Sequence, residues 1–293
     1  MAVSNKLAPQ AKAPQRLGIG AYLNQDGVKQ KINEVVGGEN GQRLITAIVS
    51  ATTANPQLQA CTNQSILATA LVGEGLKLSP SPQLGHYYFV PYNDKKQGQV
   101  AQFQLGYKGY IQLAIRSGYY KKLNVLAIKE GELVRFDPLN EEIEVNLIED
   151  EVERENAETI GYYAMFEYNN GFKKAMYWSK AKMESHALKY SQGYAADRRK
   201  GTNWTFWSKD FDGMAYKTML RQLISKWGIM SIDMQTAMDS DMAVINEDGT
   251  KTYVDTEEYQ MGEVQEETVE DAVEVVEAEV VEVEDVQSAL FGK

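Results

Sequence analysis

The sequence predicts an α+β chain in which helices pack beside a small antiparallel sheet and a β-hairpin. Three observations carry that prediction. Apolar residues recur at helical spacing in Leu44, Ile45, Ile48 and Val49, and again in Ile66, Leu67, Ala70 and Leu71. Two strand-like pairs are each joined by a turn, 86–92 to 99–105 across NDKKQG and 159–168 to 172–178 across Asn169-Asn170-Gly171. Asn-Gly is the strongest short-range hairpin signal. From about Met242 the pattern collapses, and the Val/Glu alternation over 263–285 has too much charge and too little bulk to pack alone, so a disordered acidic tail is expected there.

Elements follow in order. Residues 1–18 are small, polar and proline-containing and are expected to form a flexible arm. A helix is expected over 19–37 with Lys29 and Lys31 outward, another over 41–54, and a third over 62–73 after Asn55-Pro56. The last two are rich in small residues and weakly charged, which suits core or protomer packing. Ser79-Pro80-Ser81-Pro82 is a turn, and Pro91 places the strand carrying Tyr88 near a sheet edge. His86 reads as structural, because no partner cluster surrounds it in the sequence. Further strands are expected at 131–136 and 142–148, with the acidic 141–158 segment on an exposed loop. Ser179 caps a helix to about Tyr190, 191–207 reads as a long loop, and 209–228 reads as a helix burying Met214, Leu220, Leu223, Ile224 and Trp227. The domain reading is therefore an arm (1–18), a core (19–240) and a tail (241–293).

Composition narrows the function. With 293 residues, 43% of them hydrophobic, the chain can bury a substantial core. One cysteine and two distant histidines exclude a disulfide framework and a cysteine-based zinc site. No apolar run approaches the roughly 20 residues of a membrane span, and the N-terminus lacks the apolar core of a secretion signal, so a reducing cytoplasmic setting is expected. The net charge of −11 misleads: residues 241–293 hold 17 acidic and 2 basic residues, leaving 24 acidic and 28 basic in the first 240. An acidic tail on a mildly basic body often accompanies nucleic-acid binding.

The stretch 105–129, LGYKGYIQLAIRSGYYKKLNVLAIK, concentrates this chemistry. Tyr107, Ile111 and Ala114 mark a helix whose other side aligns Lys108, Gln112 and Arg116 at four-residue spacing. Gly118 stops it, and Tyr119, Tyr120, Lys121 and Lys122 follow, two rings beside two cations. That set suits a phosphate chain with bases to stack; it equally suits an amphipathic helix with a solvated face and core tyrosines. Basic residues among aromatics recur in 172–190 (Lys173, Lys174, Lys180, Lys182, Lys189), in 194–209 (Arg198, Arg199, with Tyr194, Trp204 and Phe206) and in 217–227 (Lys217, Arg221, Lys226). Lys217 and Arg221 form a like-charge pair at i, i+4, unfavourable by a few tenths of a kcal/mol unless an anion sits between them. Gly213, one turn earlier, permits a close approach to the backbone. No P-loop, H-E-x-x-H, paired Cys/His or G-x-S-x-G spacing occurs, and Asp137, Glu142 and Glu144 are too loosely spaced for a nuclease metal site. Binding without a cofactor or metal is the reading that remains, and single strands suit it because rings need unstacked bases.

At these residues the chain resembles the RecT family of phage and prophage single-strand annealing proteins. LGYKGYIQLAIRSGYYKKLNVLAI (105–128), FKKAMYWSKAKMESHALKYS (172–191), WSKDFDGMAYKTMLRQLISKWG (207–228) and ILATALVGEGLKLS (66–79) carry the likeness, which spans about 19–231. The resemblance implies an ATP-independent recombinase, not an enzyme of bond chemistry, that binds single-stranded DNA and pairs it with a complementary strand through a duplex intermediate. It implies an oligomer-forming core around a basic groove, assembled as a ring or helical filament, and a partner exonuclease. It assigns DNA binding as a group to Lys108, Arg116, Lys121, Lys122, Lys173, Lys174, Lys217 and Arg221. Among the rings Tyr107, Tyr110, Tyr119 and Trp204, which either stack bases or fill the core, Tyr107 is expected in the core and Tyr119 is left open. The tail is expected either to mimic DNA and restrain the groove, or to meet a host single-strand-binding protein through 286–291. A passive single-strand binder, a metal-dependent nuclease and a phage scaffold protein are the rival classes; annealing, magnesium-dependent cleavage and salt-insensitive assembly without DNA would mark each in turn.

Overall fold

A computed structural model of the protein describes residues 17–253, apart from Lys95, Glu247 and the side chain of Glu39. The expected arm up to residue 16, the Val/Glu run and the 286–291 peptide lie outside the described residues.

The chain opens with α1 (Ile19–Leu23), α2 (Asp26–Val36) and α3 (Gly38–Ala54). The single helix expected over 19–37 is broken at Asn24–Gln25, because the Asn24 side chain donates to the Gly20 carbonyl at 2.8 Å and closes α1. After a 3₁₀ turn (Pro56–Ala60), α4 (Asn63–Gly75) starts at Thr62, whose hydroxyl accepts from the Ser65 amide. It buries Ser65, Ile66, Leu67, Thr69, Ala70 and Gly73, so it is a core helix on most of its circumference. Gly73 lies flat against the buried Tyr87 ring, where a Cβ would overlap the ring atoms. Gly73→Ala is therefore expected to cost about 1–3 kcal/mol by overpacking, read as a lower urea midpoint with an unchanged slope.

β1 (Tyr87–Asp94) and β2 (Gly98–Leu105) pair antiparallel from Tyr87↔Leu105 to Asp94↔Gly98, as the alternation predicts. The Asp94 carboxylate accepts from the amides of Lys96 and Gln97 and shapes the turn. α5 (Tyr107–Ser117) ends at Gly118, which is left-handed with φ +73°. There follow β3 (Tyr120–Lys129), β4 (Leu133–Asp137), β5 (Glu142–Val145), α6 (Glu151–Asn156), β6 (Thr159–Tyr168) and β7 (Lys173–Ser179). The chain continues through α7 (Lys180–Tyr190), α8 (Gln192–Lys200), α9 (Phe206–Lys209), α10 (Phe211–Trp227), α11 (Ile232–Ser240), β8 (Ala243–Ile245) and β9 (Lys251–Tyr253). The strands form three antiparallel groups: β1-β2-β8-β9, β3-β6-β7 and β4-β5. β1, with Pro91, is an edge strand, as expected.

Three expectations are corrected. Beyond β5, where a strand is expected, the acidic 141–158 segment is not all loop: it also holds α6, and Arg154 of α6 reaches back to the fully buried Glu132 (Nε–Oε1 2.6 Å) and the Ala127 carbonyl. The 191–207 segment is no loop either. The buried Asp197 carboxylate accepts from the hydroxyls of Thr202, Thr205 and Ser208 and the amides of Trp204 and Thr205, which pins the turn between α8 and α9. These donors, the Thr202 hydroxyl foremost, hold its pKa far below the ordinary aspartate value. A depressed pKa means the contribution is present above the ordinary value and is lost as pH falls toward the folded one. Asp197→Ala is expected to speed amide exchange at Trp204 and Thr205 at neutral pH; unchanged protection at both would refute the pin. Lastly, the tail does not begin at 241. Residues 241–253 belong to the fold, with β8 paired to β2 through Gln102↔Val244 and Phe103↔Ala243.

Two apolar clusters form the interior. One gathers α1–α5, β1, β2 and α11; the other gathers β6, α7, α8, α9 and Ala127 of β3; other β3 residues pack against both. α10 serves both at once. Leu220 and Ile224 enter the first cluster while Ala215, Met219 and Leu223 enter the second, two stripes of four-residue spacing on one helix.

Candidate nucleic-acid interface

The turn after α5 and the β6–β7 turn meet. The Asn169 amide donates to the Tyr119 carbonyl at 3.2 Å, and the Asn169 side chain donates to the Gly118 carbonyl at 2.8 Å. This brings two distant basic segments to one end of the β3-β6-β7 sheet. Glu167, only 5% exposed, sits at its centre, opposite Lys122 on β3 and Lys173 on β7. Lys121 would alternate to the other face, but a bulge between Tyr120 and Lys122 turns it back. Three ammonium groups therefore surround one carboxylate, at 2.7 Å (Lys121), 3.9 Å (Lys122) and 3.8 Å (Lys173). The Lys121 hydrogen bond and then the charges of the three lysines hold the Glu167 pKa below the ordinary value. The patch keeps a surplus of positive charge, and its lysines stay more than half exposed. Tyr119 (47% exposed) precedes the patch in the chain, and Phe172 (46%) packs against Phe166 and Tyr168, the neighbours of Glu167 that face the other side of β6.

On α5, Lys108 and Arg116 are exposed and Gln112 is half-buried between them. Arg116 is not directed only outward: it donates to the Leu76 carbonyl at 2.7 Å and closes the end of α4. His86 accepts from the Ser79 amide through Nδ1 and is held below the ordinary imidazole pKa, by desolvation first and then by Arg116 and Lys108. That fits its structural reading.

The structure withdraws two expected contacts. Lys217 is 5% exposed, and its Nζ lies 2.8 Å from Asp241 Oδ1; Arg221 donates to Asp241 Oδ2 at 2.9 Å. Asp241 is wholly buried and also accepts from the Leu105 amide and the Tyr110 hydroxyl. The anion that the Lys217/Arg221 spacing calls for is thus supplied by the chain itself. Gly213 has a similar explanation, since the Asp210 side chain that caps α10 fills the space beside it. Tyr110 belongs to the core.

The remaining cations are dispersed. Lys174 is held between Glu141 (2.6 Å) and the Trp227 ring (3.7 Å to the centroid), with exposed Lys226 at 5.6 Å from the same ring. Trp227 is correspondingly half-exposed and not buried as expected. Lys180 pairs with Glu158 and Arg198 with Glu184, while Lys182 lies over Trp178 and Lys189 over Tyr190. Arg199 and Trp204 are exposed. Sequence reasoning missed Glu167 and Phe172. Cross-strand alignment of 159–168 with 120–129 and 173–179 carries the signal for Glu167, because it sets this acid between lysines.

The chain matches the RecT family model over residues 40–269. The chain belongs to the RecT family. It is 40% identical over 233 residues to the uncharacterized protein YqaK of Bacillus subtilis strain 168, covering 80% of this chain and 73% of that one. It is 26% identical over 226 residues to Protein RecT of Escherichia coli K12, covering 75% and 79%. Both alignments take in most of the described fold. Among the described residues of this RecT-family chain no helix is long and apolar enough to cross a membrane, and no cluster of His, Cys, Asp or Glu could hold a metal ion.

Proposed function

We propose that this protein anneals complementary DNA strands without ATP, binding the first strand along the sheet end that carries Tyr119, Lys121, Lys122, Phe172 and Lys173. RecT-family membership implies DNA binding and single-strand annealing in recombination. The observation that supports this location is the convergence of Lys121, Lys122 and Lys173 around Glu167. Annealing brings two polyanions together, and lysines offset their repulsion by displacing counterions. Contacts to phosphate leave the base edges readable, as a protein indifferent to sequence requires. Exposed Tyr119 and Phe172 offer ring faces to unstacked bases. Pairing itself, worth about 1.4 kcal/mol per base step, drives product formation.

Lys108, Gln112, Arg116, Lys180, Lys182, Lys189, Arg198, Arg199 and Lys226 extend this reading as secondary phosphate contacts; Lys217 and Arg221 do not. Assembly into a ring or helical filament, supply of the strand by an exonuclease, and contact with a host single-strand-binding protein belong to the same proposal on the strength of the family. The deciding assay mixes complementary oligonucleotides with the protein, with and without ATP, across a salt series. Faster duplex formation that ATP does not alter supports annealing. Strand protection without faster pairing would mean a passive binder, and monomers by light scattering with both strands present would remove the assembly.

A further inference from the structure

A cavity of about 190 Å³ lies between the start of α5 and the start of α10. We propose that it receives one nucleobase of the bound strand, turned out of the stack; this rests on the single-strand-binding reading above. Its walls are rings. Tyr88 and Phe206 lie 5.2 Å apart on one side, and Tyr107, backed by Tyr216 at 5.5 Å, stands on another. The volume is below the roughly 300–1,000 Å³ of a cofactor pocket and suits one planar ring system. Lys209 lines the cavity and is exposed, while Lys108 stands over the Tyr107 ring at 6.0 Å, so cations flank the opening for the phosphates on either side of the base.

Gln104 identifies the occupant. It is 7% exposed, it lines the cavity, and its carboxamide makes no hydrogen bond to any described residue. Its carboxamide atoms are open to the cavity and so can bond a ligand that enters it. An amide offers one acceptor and two donors and can turn either toward a base edge. It therefore satisfies all four bases, in keeping with a protein that must accept any sequence. One anchored base per protomer would hold the strand while its neighbours remain open for pairing.

The test compares full-length protein on an oligothymidylate and on an abasic oligomer with the same number of phosphates. Stacking on aromatic side chains supports a preference of about five-fold or more for the strand that carries bases. Gln104→Leu and Phe206→Leu are each expected to lower that preference toward unity while leaving abasic affinity within about two-fold, which also reports that the variants fold. Lys209→Gln lowers both affinities together. Thymidine monophosphate at oligomer concentration should displace nothing; displacement would make the cavity a free-nucleotide site and overturn the proposal. A preference unchanged in both variants, or both oligomers weakened alike by them, also overturns it. Failure of the wild type to bind either oligomer would instead overturn the annealing reading.

Discussion

Asp241→Asn is expected to lower the free energy of unfolding by about 3–5 kcal/mol, the cost of leaving buried charges uncompensated. The carboxylate is fully buried and takes hydrogen bonds from four groups on β2, α5 and α10. Without its charge, Lys217 and Arg221 face each other one helical turn apart, away from water. The loss is read from urea unfolding of the full chain. Adding Lys217→Met and Arg221→Met to Asp241→Asn is expected to restore much of it, since apolar side chains of similar volume often replace a buried ionic group at little cost. The two cations also separate the structure from the sequence-level expectation. As DNA contacts they would alter the salt dependence of binding and leave stability untouched; here the reverse is expected. Loss of less than about 1 kcal/mol would show that water reaches the site.

Neutralising Lys121, Lys122 and Lys173 to Gln, together with Glu167→Gln so that no buried carboxylate is left unpaired, is expected to weaken single-strand binding about 100-fold at 0.1 M salt. Each phosphate contact contributes about 0.7 to the slope of log affinity against log salt on single strands, so the slope should fall in magnitude by about 2. Fluorescence anisotropy between about 50 and 200 mM salt measures both. Glu167→Gln alone acts the other way: it removes the carboxylate that occupies three ammonium groups, so binding should tighten. An unaltered slope in the fourfold variant would place the phosphates elsewhere on the molecule.

Much of the fold could be read from local pattern. Helix ends at Thr62, Ser179 and Gly118 fall where capping chemistry sets them, and both hairpins pair in the register that their turns imply. What escaped reading depends on distant partners. Residues 191–209 are polar and rich in turn formers, and they become helical because one buried carboxylate collects the loop's donors. The segment 241–253 starts the acidic run by composition, yet its first residue neutralises α10 and its Ala243–Ile245 completes a sheet begun some 140 residues earlier. In the candidate interface, the pairing of 107–122 with 172–174 was legible as shared composition only. Their meeting at Asn169 was not, nor was the bulge that puts Lys121 beside Lys122.

The sequence by itself determined that the chain is α+β, that its body is basic where its tail is acidic, and which family its motifs resemble, because periodicity, caps and charge are properties of neighbouring residues. The tertiary structure alone decided which cations remain available to a polyanion. Lys121, Lys122 and Lys173 keep their heads in water around a carboxylate that they outnumber, whereas Lys217 and Arg221 are matched in the interior by Asp241. Charge on a side chain is written in its residue type; whether that charge is already satisfied depends on what the fold brings within about 4 Å of it.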